Sequence, residues 1–391
     1  MMDAQGPRAA DVVILGAGPA GLLLGNLLHR AGIDCLILER ETTDRVRTRA
    51  RAGFLAPNTV RILDRHGLAG GLRRAGREHS RCEFRTDDGR FTLDYATLGR
   101  GEPHTVYPQQ ELVTDLLTEY LAVGGRVHFS TEALAVTGAD STRPQVTARG
   151  PDGAVGHWPA RYVAGCDGRH GAARRSLPAA VRRHRDHGVT WLAVLAEAPP
   201  SLDAVGYAVH DRGFAGHMAR GPRVTRYYLQ CERGTAAGAW TEDRIWAELS
   251  VRLRADRYGP LHRGPILDRA VLDLESDVLE ELRHGSLVLA GDAASLISPC
   301  AAKGANLAVL QAELLAEALI DDLRHASPGP LADYSARALA HVWRAQEFTH
   351  WMVHLLHSAS PFDAALQRSR LASLRTSRSA QDWFAENYVG V

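Results

Sequence analysis

Residues 11–25 have the sequence DVVILGAGPAGLLLG, and this stretch determines the expected fold. Its first five residues, DVVIL, form a short apolar run rich in β-branched residues, which is typical of a buried parallel strand. A helix is predicted over 20–31 and a second strand, DCLILE, over 34–39. Strand, helix and strand in this order predict a βαβ unit with a right-handed crossover.

Three glycines lie in the turn between the first strand and the helix. Gly16 permits a tight turn, Gly18 lets the backbone approach a pyrophosphate, and Gly21 lets the helix pack on the strand. The helix N-terminus adds amide donors and partial positive charge. Glu39, at the end of the second strand, is placed for a ribose hydroxyl. The pattern predicts a dinucleotide site, although it does not separate FAD from NAD.

The rest of the chain predicts an α/β protein with an inserted, mainly antiparallel β domain. Alternating segments at 189–196 and 225–231 indicate the antiparallel sheet. Further strands are predicted at 161–166 and 286–290, and helices at 54–75, 111–123, 302–324 and 331–357. The expected division is a Rossmann-like nucleotide-binding domain at 1–72, 101–179 and 276–325, an α+β substrate domain at 73–100 and 180–275, and a C-terminal helical segment at 326–391.

The composition is that of a globular protein. Of 391 residues, 45% are apolar and 23% charged, and the formal net charge of +1 gives no preference for nucleic acid or an anionic membrane. No run is long and apolar enough for a membrane helix, and the N-terminus lacks a signal-peptide pattern. The five widely spaced cysteines, without a CxxC motif, fit reduced thiols better than disulfides or a metal site. We expect a cytoplasmic protein without metal, nucleic-acid or membrane partners.

Two later stretches have features that suit a cofactor. Cys166-Asp167-Gly168 ends a predicted strand, which by itself is an ordinary strand-terminating turn. Asp292 follows strand 286–290 and could bond a ribityl hydroxyl, and residues 299–304 would then place backbone amides beside a flavin ring. Such amides stabilise negative charge on a reduced ring. The alternative is a common loop between strand and helix, in which small residues serve packing alone.

The motifs GAGPAG (16–21), CDG (166–168) and GD (291–292), in this order, resemble those of class A flavoprotein monooxygenases. The resemblance runs through nearly the whole chain and is strongest to the branch that hydroxylates 4-hydroxybenzoate. Its supporting segments are RARAGFL (49–55), TVYPQQEL (105–112), TRYYLQ (225–230), AAKGANLA (301–308) and AENYVG (385–390).

The resemblance implies an activity and its cofactors. NAD(P)H would reduce FAD, O2 would add to the reduced flavin as a C4a-hydroperoxide, and a substrate phenolate would attack the distal oxygen. The substrate would be a para-hydroxy or para-amino aromatic acid, hydroxylated ortho to its phenol. The protein would supply positioning, phenol deprotonation and exclusion of water, and it would be a homodimer.

The resemblance also implies roles for individual residues. Tyr207 and Tyr388 match a pair that hydrogen-bonds the substrate phenol and relays its proton, and His79 matches the histidine at the solvent end of that relay. Arg220 matches the arginine that pairs with the substrate carboxylate, and Tyr228 a hydroxyl beside it. The other expected substrate contacts are Phe54, Trp191, Val205, Gly216 and Met218. Pro299 and Asn306 would lie at the flavin–substrate junction. With the glycines, Glu39, Asp292 and Asn306, the expected cofactor contacts are Arg40, Arg51, Gln109, Asp167, Gly168, His170, Ala302, Lys303 and Gly304.

Several positions depart from the family pattern. Met218 replaces the usual serine beside the carboxylate, which removes a hydrogen bond worth about 1–3 kcal/mol. Gly216 replaces a leucine and is expected to open space, whereas Phe54 and Met218 fill it. Glu275 stands where the family has an arginine on the nicotinamide side. The sequence does not decide whether NADPH or NADH is the reductant, and it does not define the substituents on the substrate ring.

Two other functions stay open as well. Glu275 and Met218 also fit a flavoenzyme that no longer catalyses hydroxylation, such as an oxidase or a halogenase-like catalyst. A non-catalytic FAD-binding protein would keep only the nucleotide motifs. The set of Tyr207, Tyr388 and His79 favours the hydroxylase, because a mere binder needs no proton relay.

Overall fold

The computed structural model describes residues 9–49, 53–177 and 181–390, and it has the mixed α/β architecture expected from the sequence. The strands are β1 (Ala10–Leu15), β2 (Cys35–Leu38), β3 (Phe54–Leu55), β4 (Arg77–His79), β5 (Arg81–Thr86), β6 (Gly89–Asp94), β7 (His104–Val106), β8 (Arg126–His128), β9 (Glu132–Thr137), β10 (Gln145–Arg149), β11 (Val155–Gly165), β12 (Arg182–Ala196), β13 (Val205–Ala208), β14 (Ala215–Gly221), β15 (Val224–Cys231), β16 (Ile266–Leu279), β17 (Arg283–His284), β18 (Leu287–Leu289) and β19 (Ser295–Leu296). The helices are α1 (Pro19–Arg30), α2 (Thr43–Thr48), α3 (Pro57–Arg65), α4 (Gly70–Ala75), α5 (Gln109–Ala122), α6 (Ala172–Arg175), α7 (Glu242–Arg252), α8 (Ala255–Tyr258), α9 (Gly304–His325), α10 (Gly329–Leu356), α11 (Pro361–Thr376) and α12 (Arg378–Val389).

The first sheet is built around the βαβ unit of β1, α1 and β2. Its order is β17-β18-β11-β1-β2-β8, and every neighbouring pair from β18 to β8 is parallel. β1 and β2 are almost entirely buried, as their apolar sequences predict. Because these strands run in the same direction, their carboxyl ends meet at one edge of the sheet, where ligand sites of such folds form.

β11 is longer than the strand predicted over 161–166. Its first part, from Val155 to Pro159, pairs antiparallel with β10, and its second part, from Ala160 to Gly165, pairs parallel with β1. The strand therefore extends from the buried sheet into an exposed antiparallel one, which explains why only its apolar end was recognised in the sequence.

The second sheet has the order β19-β16-β12-β15-β14-β13-β5-β6 and is mainly antiparallel. It joins strands from the segments 73–100 and 180–275, and β16 continues past the predicted boundary at residue 275. One face of this sheet packs on α7 around Trp246 and Leu249. The opposite face carries Tyr207 and Met218 and packs against the C-terminal helices, so it is the face available for a site.

The segment 54–75, predicted as helical, begins instead with a strand. Phe54 and Leu55 pair with β7, and the helix starts only at Pro57, whose fixed φ suits a first helical position. Gly67, with φ +65°, separates α3 from α4. A short strand whose partner lies about fifty residues away in sequence cannot be recognised from local periodicity.

The C-terminal helices carry the end of the chain back to the second sheet. α12 brings Tyr388 into the buried cluster that also contains Tyr207 and Phe348. In the part of the chain that the structure describes, no helix is both long and apolar enough to cross a membrane. The same residues contain no group of His, Cys, Asp or Glu side chains arranged as metal ligands, and all five cysteines, each of them described, are free thiols.

Candidate active site

The three predicted cofactor motifs meet at the carboxyl edge of the parallel sheet. Gly16 follows β1, the turn at 166–168 follows β11, and Asp292 follows β18. Two of them touch, because a Cβ atom on Gly16 would lie 2.6 Å from the carbonyl oxygen of Cys166. Gly16 has φ +95°, in the region that favours glycine. Segments far apart in sequence therefore form one site at this edge.

The turn before α1 has the shape that a pyrophosphate requires. A Cβ atom on Gly18 would meet no described atom within 4 Å, so the backbone is open on that side. A Cβ atom on Gly21 would collide with the carbonyl oxygen of Gly16. No described side chain caps the N-terminus of α1, so its first amides are available to an anion. The glycine turn thus fits the FAD that the sequence predicts.

Glu39 holds the end of β2 against the glycine turn. Its carboxylate accepts hydrogen bonds from the amides of Ala17 at 2.6 Å and Glu41 at 2.8 Å. A carboxylate has about four lone-pair sites, so a ribose hydroxyl can share it with these amides. Glu39 therefore fits the predicted ribose contact and also organises the turn.

The other predicted cofactor contacts are spread around this edge. Gln109 is buried at the start of α5, whereas Arg40 and His170 are exposed. Asp167 accepts a hydrogen bond from a backbone amide of α6 at 3.1 Å, and burial raises its pKa. Asp167 thus caps α6, whatever else it binds. Arg51 lies outside the described residues.

The loop before α9 makes a sharp turn between the two sheets. Pro299 begins a 3-10 turn and is exposed, whereas Cys300 and Ala301 are buried. Ala302 has a left-handed φ of +52°, and α9 begins at Gly304. The loop thus presents Pro299 outward while its next two residues join the core beside the second sheet.

The side chain of Lys303, one of the predicted cofactor contacts, bonds the C-terminal helix. Its Nζ donates to the carbonyl oxygen of Tyr388 at 2.8 Å and to that of Gly390. Lys303 is 1% exposed, and burial, aided by Arg344, lowers its pKa to about 7. Lys303 therefore ties the end of α12 to this loop, and only its backbone remains for the predicted cofactor contact.

Asn306, predicted as a catalytic and cofactor-binding residue at the flavin–substrate junction, uses its side chain to join neighbouring elements of the protein. Its Oδ1 accepts from the amide of Ala56 and the hydroxyl of Thr59, each at 2.7 Å. Its Nδ2 donates to the carbonyl oxygens of Phe54 at 3.0 Å and Ala302 at 2.8 Å. Because all of its donors and acceptors are used, the side chain fastens β3 to α9 and has none left for a cofactor.

The predicted substrate residues share one face of the second sheet, except Phe54, which lies in β3 and packs in the same buried cluster. Tyr207, Gly216 and Tyr228 lie in register across β13, β14 and β15. Met218 continues this face along β14, since alternate residues of a strand point the same way. Arg220 lies at an irregularity of the β14–β15 register and reaches the face through a hydrogen bond to Tyr228. The other predicted members on neighbouring strands are Trp191 and Val205.

Arg220 is a buried cation with unused hydrogen-bond donors. It is 8% exposed, and among the described residues its Nε and Nη1 have no partner. Arg226, which is in register with Met218, brings a second buried guanidinium to the same face. Burial lowers the pKa of Arg220, and the charge of Arg226 lowers it further. Two buried guanidiniums with free N–H groups form a site for an anion.

Tyr207 and Tyr388 form a hydroxyl pair further along this face. Their Oη atoms are 2.8 Å apart and both rings are buried. Burial raises the pKa of Tyr207 and of Tyr388, so both hydroxyls keep their protons near neutral pH and can pass one along. Gly216, the register partner of Tyr207, is separated from Arg220 by about 13 Å along β14. Arg220 hydrogen-bonds Tyr228, the register partner of Gly216, so its guanidinium reaches back along the strand towards the hydroxyl pair.

Gly216 does not open space, contrary to the expectation from the sequence. A Cβ atom there would lie 3.0 Å from Cζ of Phe214 and 3.2 Å from Cδ2 of Tyr228. Phe214 stacks on Trp191 with 4.9 Å between ring centroids, and Nε1 of Trp191 donates to Nε2 of His357 at 2.8 Å. The glycine lets a fixed aromatic wall close against β14.

The side chain of His79 contacts Tyr95, which the sequence did not single out. Nδ1 of His79 lies 2.8 Å from the Tyr95 hydroxyl, and the Tyr95 ring centroid is 5.2 Å from that of Tyr388. His104, opposite His79 in the β4–β7 pair, has its ring centroid 5.2 Å from that of Tyr388. Burial lowers the pKa of His79 to about 4 against the opposing charge of Asp94. His79 is therefore neutral near pH 7.

Comparison with known proteins agrees with this geometry. A family of FAD binding domains matches residues 9–349. The chain is 36% identical to the p-hydroxybenzoate hydroxylase of Acinetobacter baylyi, over 97% of this chain and 95% of that protein. The chain belongs to the class A flavoprotein monooxygenases. It is also 31% identical to a 3-amino-4-hydroxybenzoate 2-monooxygenase of Streptomyces platensis, over 95% of this chain and 94% of that protein. The fold matches the solved structure of a p-nitrophenol 4-monooxygenase from Pseudomonas putida with a TM-score of 0.83, at 20% identity over 98% of each chain.

This flavoprotein monooxygenase is an FAD-dependent aromatic hydroxylase, and its site contains residues that the sequence did not reveal. Arg226 had a usable signal, because it precedes Tyr228 by two positions in a strand and so shares its face. Gly53 had a weaker signal, because it lies in the segment RARAGFL (49–55). A Cβ atom there would lie 3.1 Å from Nη1 of Arg220. Tyr95 and His104 had none, because no motif or period places them beside Tyr388.

Proposed function

We propose that this enzyme uses NAD(P)H and O2 to hydroxylate a 4-hydroxybenzoate-like aromatic acid, para-hydroxy or para-amino, ortho to its phenol. One observation carries the proposal: a single buried sheet face has free guanidinium donors on Arg220 and Arg226 and, further along, the protonated hydroxyl pair of Tyr207 and Tyr388. A benzoate-type acid has complementary groups at its two ends.

In this proposal the guanidiniums bind the carboxylate and fix the direction of the ring. The phenol proton passes to Tyr207 as Tyr207 passes its own to Tyr388, which leaves a phenolate that is more nucleophilic at its ortho carbon. The wall of Trp191 and Phe214 keeps water out. FAD, held at the sheet edge by the glycine turn, Glu39 and the 291–292 turn, supplies the redox chemistry and the activation of O2.

The space between these two ends determines which ring substituents the substrate can carry. Met218 lies between Gly216 and Arg220 and offers no hydroxyl to the carboxylate, while Phe214 closes the space beside Gly216. The two related enzymes are named for p-hydroxybenzoate and for 3-amino-4-hydroxybenzoate. Both acids share the carboxylate and the para-hydroxyl that the site can bind, so both belong in the test.

We propose NADPH or NADH as the reductant. Glu275 occupies the position where an arginine was expected, but it forms an ion pair with Arg169 at 2.5 Å, beside the 166–168 turn. A carboxylate paired in this way repels a nucleotide phosphate less than a free one would. Comparing the two reductants in the wild type and in Glu275→Gln tests whether this pair selects between them.

We also propose that the enzyme is a cytoplasmic homodimer. α10, α11 and α12 expose Trp343, Phe362 and Trp383, and exposed aromatic groups favour association. The free thiols fit a reducing compartment. Light scattering that gives the 42.5 kDa of one chain, rather than twice that mass, would contradict the dimer.

A substrate panel tests the activity directly. The purified yellow protein is mixed with NADH or NADPH and, in turn, 4-hydroxybenzoate, 3-amino-4-hydroxybenzoate, 4-aminobenzoate and benzoate. We expect a para-hydroxy or para-amino acid to accelerate NAD(P)H oxidation and to yield a product one oxygen atom heavier. An oxidised product without added oxygen would indicate an oxidase, and no stimulation by any acid would contradict the proposal.

A further inference from the structure

Tyr95 is a buried tyrosine that the steps described above do not use. It follows β6 and lies between His79 and Tyr388, with its ring centroid 5.4 Å from that of His104. Its hydroxyl lies 2.8 Å from Nδ1 of His79 and also 2.8 Å from the backbone carbonyl oxygen of His79. One hydroxyl thus makes two hydrogen bonds to the same residue.

These two bonds determine which nitrogen of His79 carries the proton. A carbonyl oxygen can only accept, so the single hydroxyl proton of Tyr95 goes to the His79 carbonyl. The Tyr95 oxygen must then accept from Nδ1–H. A neutral imidazole has one N–H, so Nε2 of His79 is left with the lone pair.

The surroundings of His79 favour the neutral ring. Burial lowers the pKa of His79 to about 4, and only Asp94 at the end of β6 acts in the opposite direction. Besides the Tyr95 hydroxyl, its electrostatic partners are His104 on β7 and, at longer range, His217 on β14. Burial lowers the pKa of each of these histidines as well, so neither adds a positive charge near pH 7.

We propose that Tyr95 is a positioning residue that holds His79 as an Nε2 proton acceptor behind the Tyr207–Tyr388 pair. The inference rests on the proposed hydroxylation, in which the phenol proton of the substrate leaves through these hydroxyls. The O–H bond of the phenol breaks and a phenolate remains. One proton moves through Tyr207 and Tyr388, then through water to Nε2 of His79 and on to solvent, and no electrons are transferred. Tyr95 itself keeps its proton throughout.

The tautomer can be measured directly in the holoenzyme by 15N NMR of labelled histidine. Long-range 1H–15N correlations distinguish Nδ1–H from Nε2–H rings, and His79→Gln identifies the signal of His79. We expect Nδ1–H in the wild type and its loss or mixing in Tyr95→Phe. An Nε2–H ring in the wild type, or an unchanged tautomer in Tyr95→Phe, would overturn the proposal.

The consequence for the relay is measured as proton release. The holoenzyme is mixed with 4-hydroxybenzoate in a stopped-flow instrument with a pH-indicator dye. Tyr95→Phe should slow proton release at least about tenfold. This is a fraction of the ~10²–10⁴-fold rate enhancement that a positioned proton-transfer group contributes. FAD content and the Kd for the acid should not change, because Tyr95 contacts neither glycine turn nor guanidinium.

Tyr162→Phe is the matched control. Its hydroxyl bonds Asp322 at 2.7 Å, at the parallel sheet and away from the second sheet, so its proton release should equal that of the wild type. Equal rates in Tyr95→Phe and Tyr162→Phe would overturn the role of Tyr95 in the relay. A wild type that releases no proton with any active acid would instead overturn the proposed deprotonation, while the NMR result would still decide the tautomer.

Discussion

Arg220→Met should make the free enzyme more stable and nearly abolish its affinity for the substrate. The guanidinium of Arg220 is buried and lies near the like charge of Arg226. Its Nε and Nη1 donors have no partners among the described residues. An unpaired buried charge destabilises a protein until a ligand pairs it. Methionine has a similar length and no charge, so it can fill the same space without that penalty.

The structure gives the magnitude of both effects. Each buried donor left unsatisfied costs about 1–3 kcal/mol, so the Nε and Nη1 positions together cost ~2–6 kcal/mol. Methionine also removes the hydrogen bond between Arg220 and Tyr228, which is worth about 1 kcal/mol. The net expected gain in unfolding free energy is ~1–5 kcal/mol. For the substrate, two lost bonds to a carboxylate, at about 1.5–3 kcal/mol each, raise Kd at least ~100-fold.

Thermal unfolding of the holoenzyme with and without 4-hydroxybenzoate measures both effects. The wild type should gain Tm when the acid is added, by mass action. Arg220→Met should have a higher Tm without the acid and show no shift with it. Arg149→Met is the control, since Arg149 is exposed and pairs only with Glu132, and it should behave like the wild type. A variant that is less stable without the acid, or that keeps the wild-type Kd, would refute the reasoning.

Asn306→Leu should lower the unfolding free energy by about 2–4 kcal/mol, because it loses three hydrogen bonds to residues 54–59 and one to Ala302. Urea unfolding measures this, and Asn387→Leu, which loses one exposed bond, should cost less than about 1 kcal/mol. Gly16→Ala should eliminate FAD uptake, since its Cβ would lie 2.6 Å from a carbonyl oxygen, whereas Gly18→Ala meets open space and should keep the fold but bind FAD more weakly; equal flavin absorbance in both would contradict this. Stability should fall as pH drops from about 6.5 towards about 4, since histidines held neutral in the folded protein bind protons once unfolded. The histidines whose pKa burial lowers to about 4 are His79, His187, His217 and His357. A urea midpoint that rises over this pH range would be inconsistent with their burial.

The parts of the fold that the sequence predicts are those with local geometric requirements. The glycine turn at 16–21 can form only one kind of connection, so the strand before it and the helix after it were identified within a residue or two. The segment 54–75 was misjudged because β3 is defined by its pairing with β7 rather than by its own residues. Tertiary pairing of this kind overrides local periodicity.

The same distinction applies to the site. The order of the motifs correctly placed Tyr207 beside Tyr388. The consequences of Gly216 were misjudged, because the space beside a glycine depends on what other elements put there, in this case Phe214. The family resemblance puts Lys303 and Asn306 among the cofactor contacts, and their side chains bond α12 and β3, which leaves their backbones for that predicted role. A sequence motif fixes where a backbone goes more reliably than where a side chain goes.

In the proposed function, the two ends of the sheet face that carries Arg220 and Tyr207 make different electrostatic demands, and together they select the ligand. At one end Arg220 and Arg226 are buried cations that need a negative charge. At the other end Tyr207 and Tyr388 are neutral, since burial raises the pKa of both, and they can relay the proton of a para-hydroxyl or hydrogen-bond a para-amino group. An acid without a para-hydroxyl or para-amino group satisfies the first end alone, and a phenol without an acid leaves the cations unpaired. Met218, which replaces the family's usual serine, lies between the two ends. It therefore changes which ring substituents fit but not which groups the ring needs at its ends.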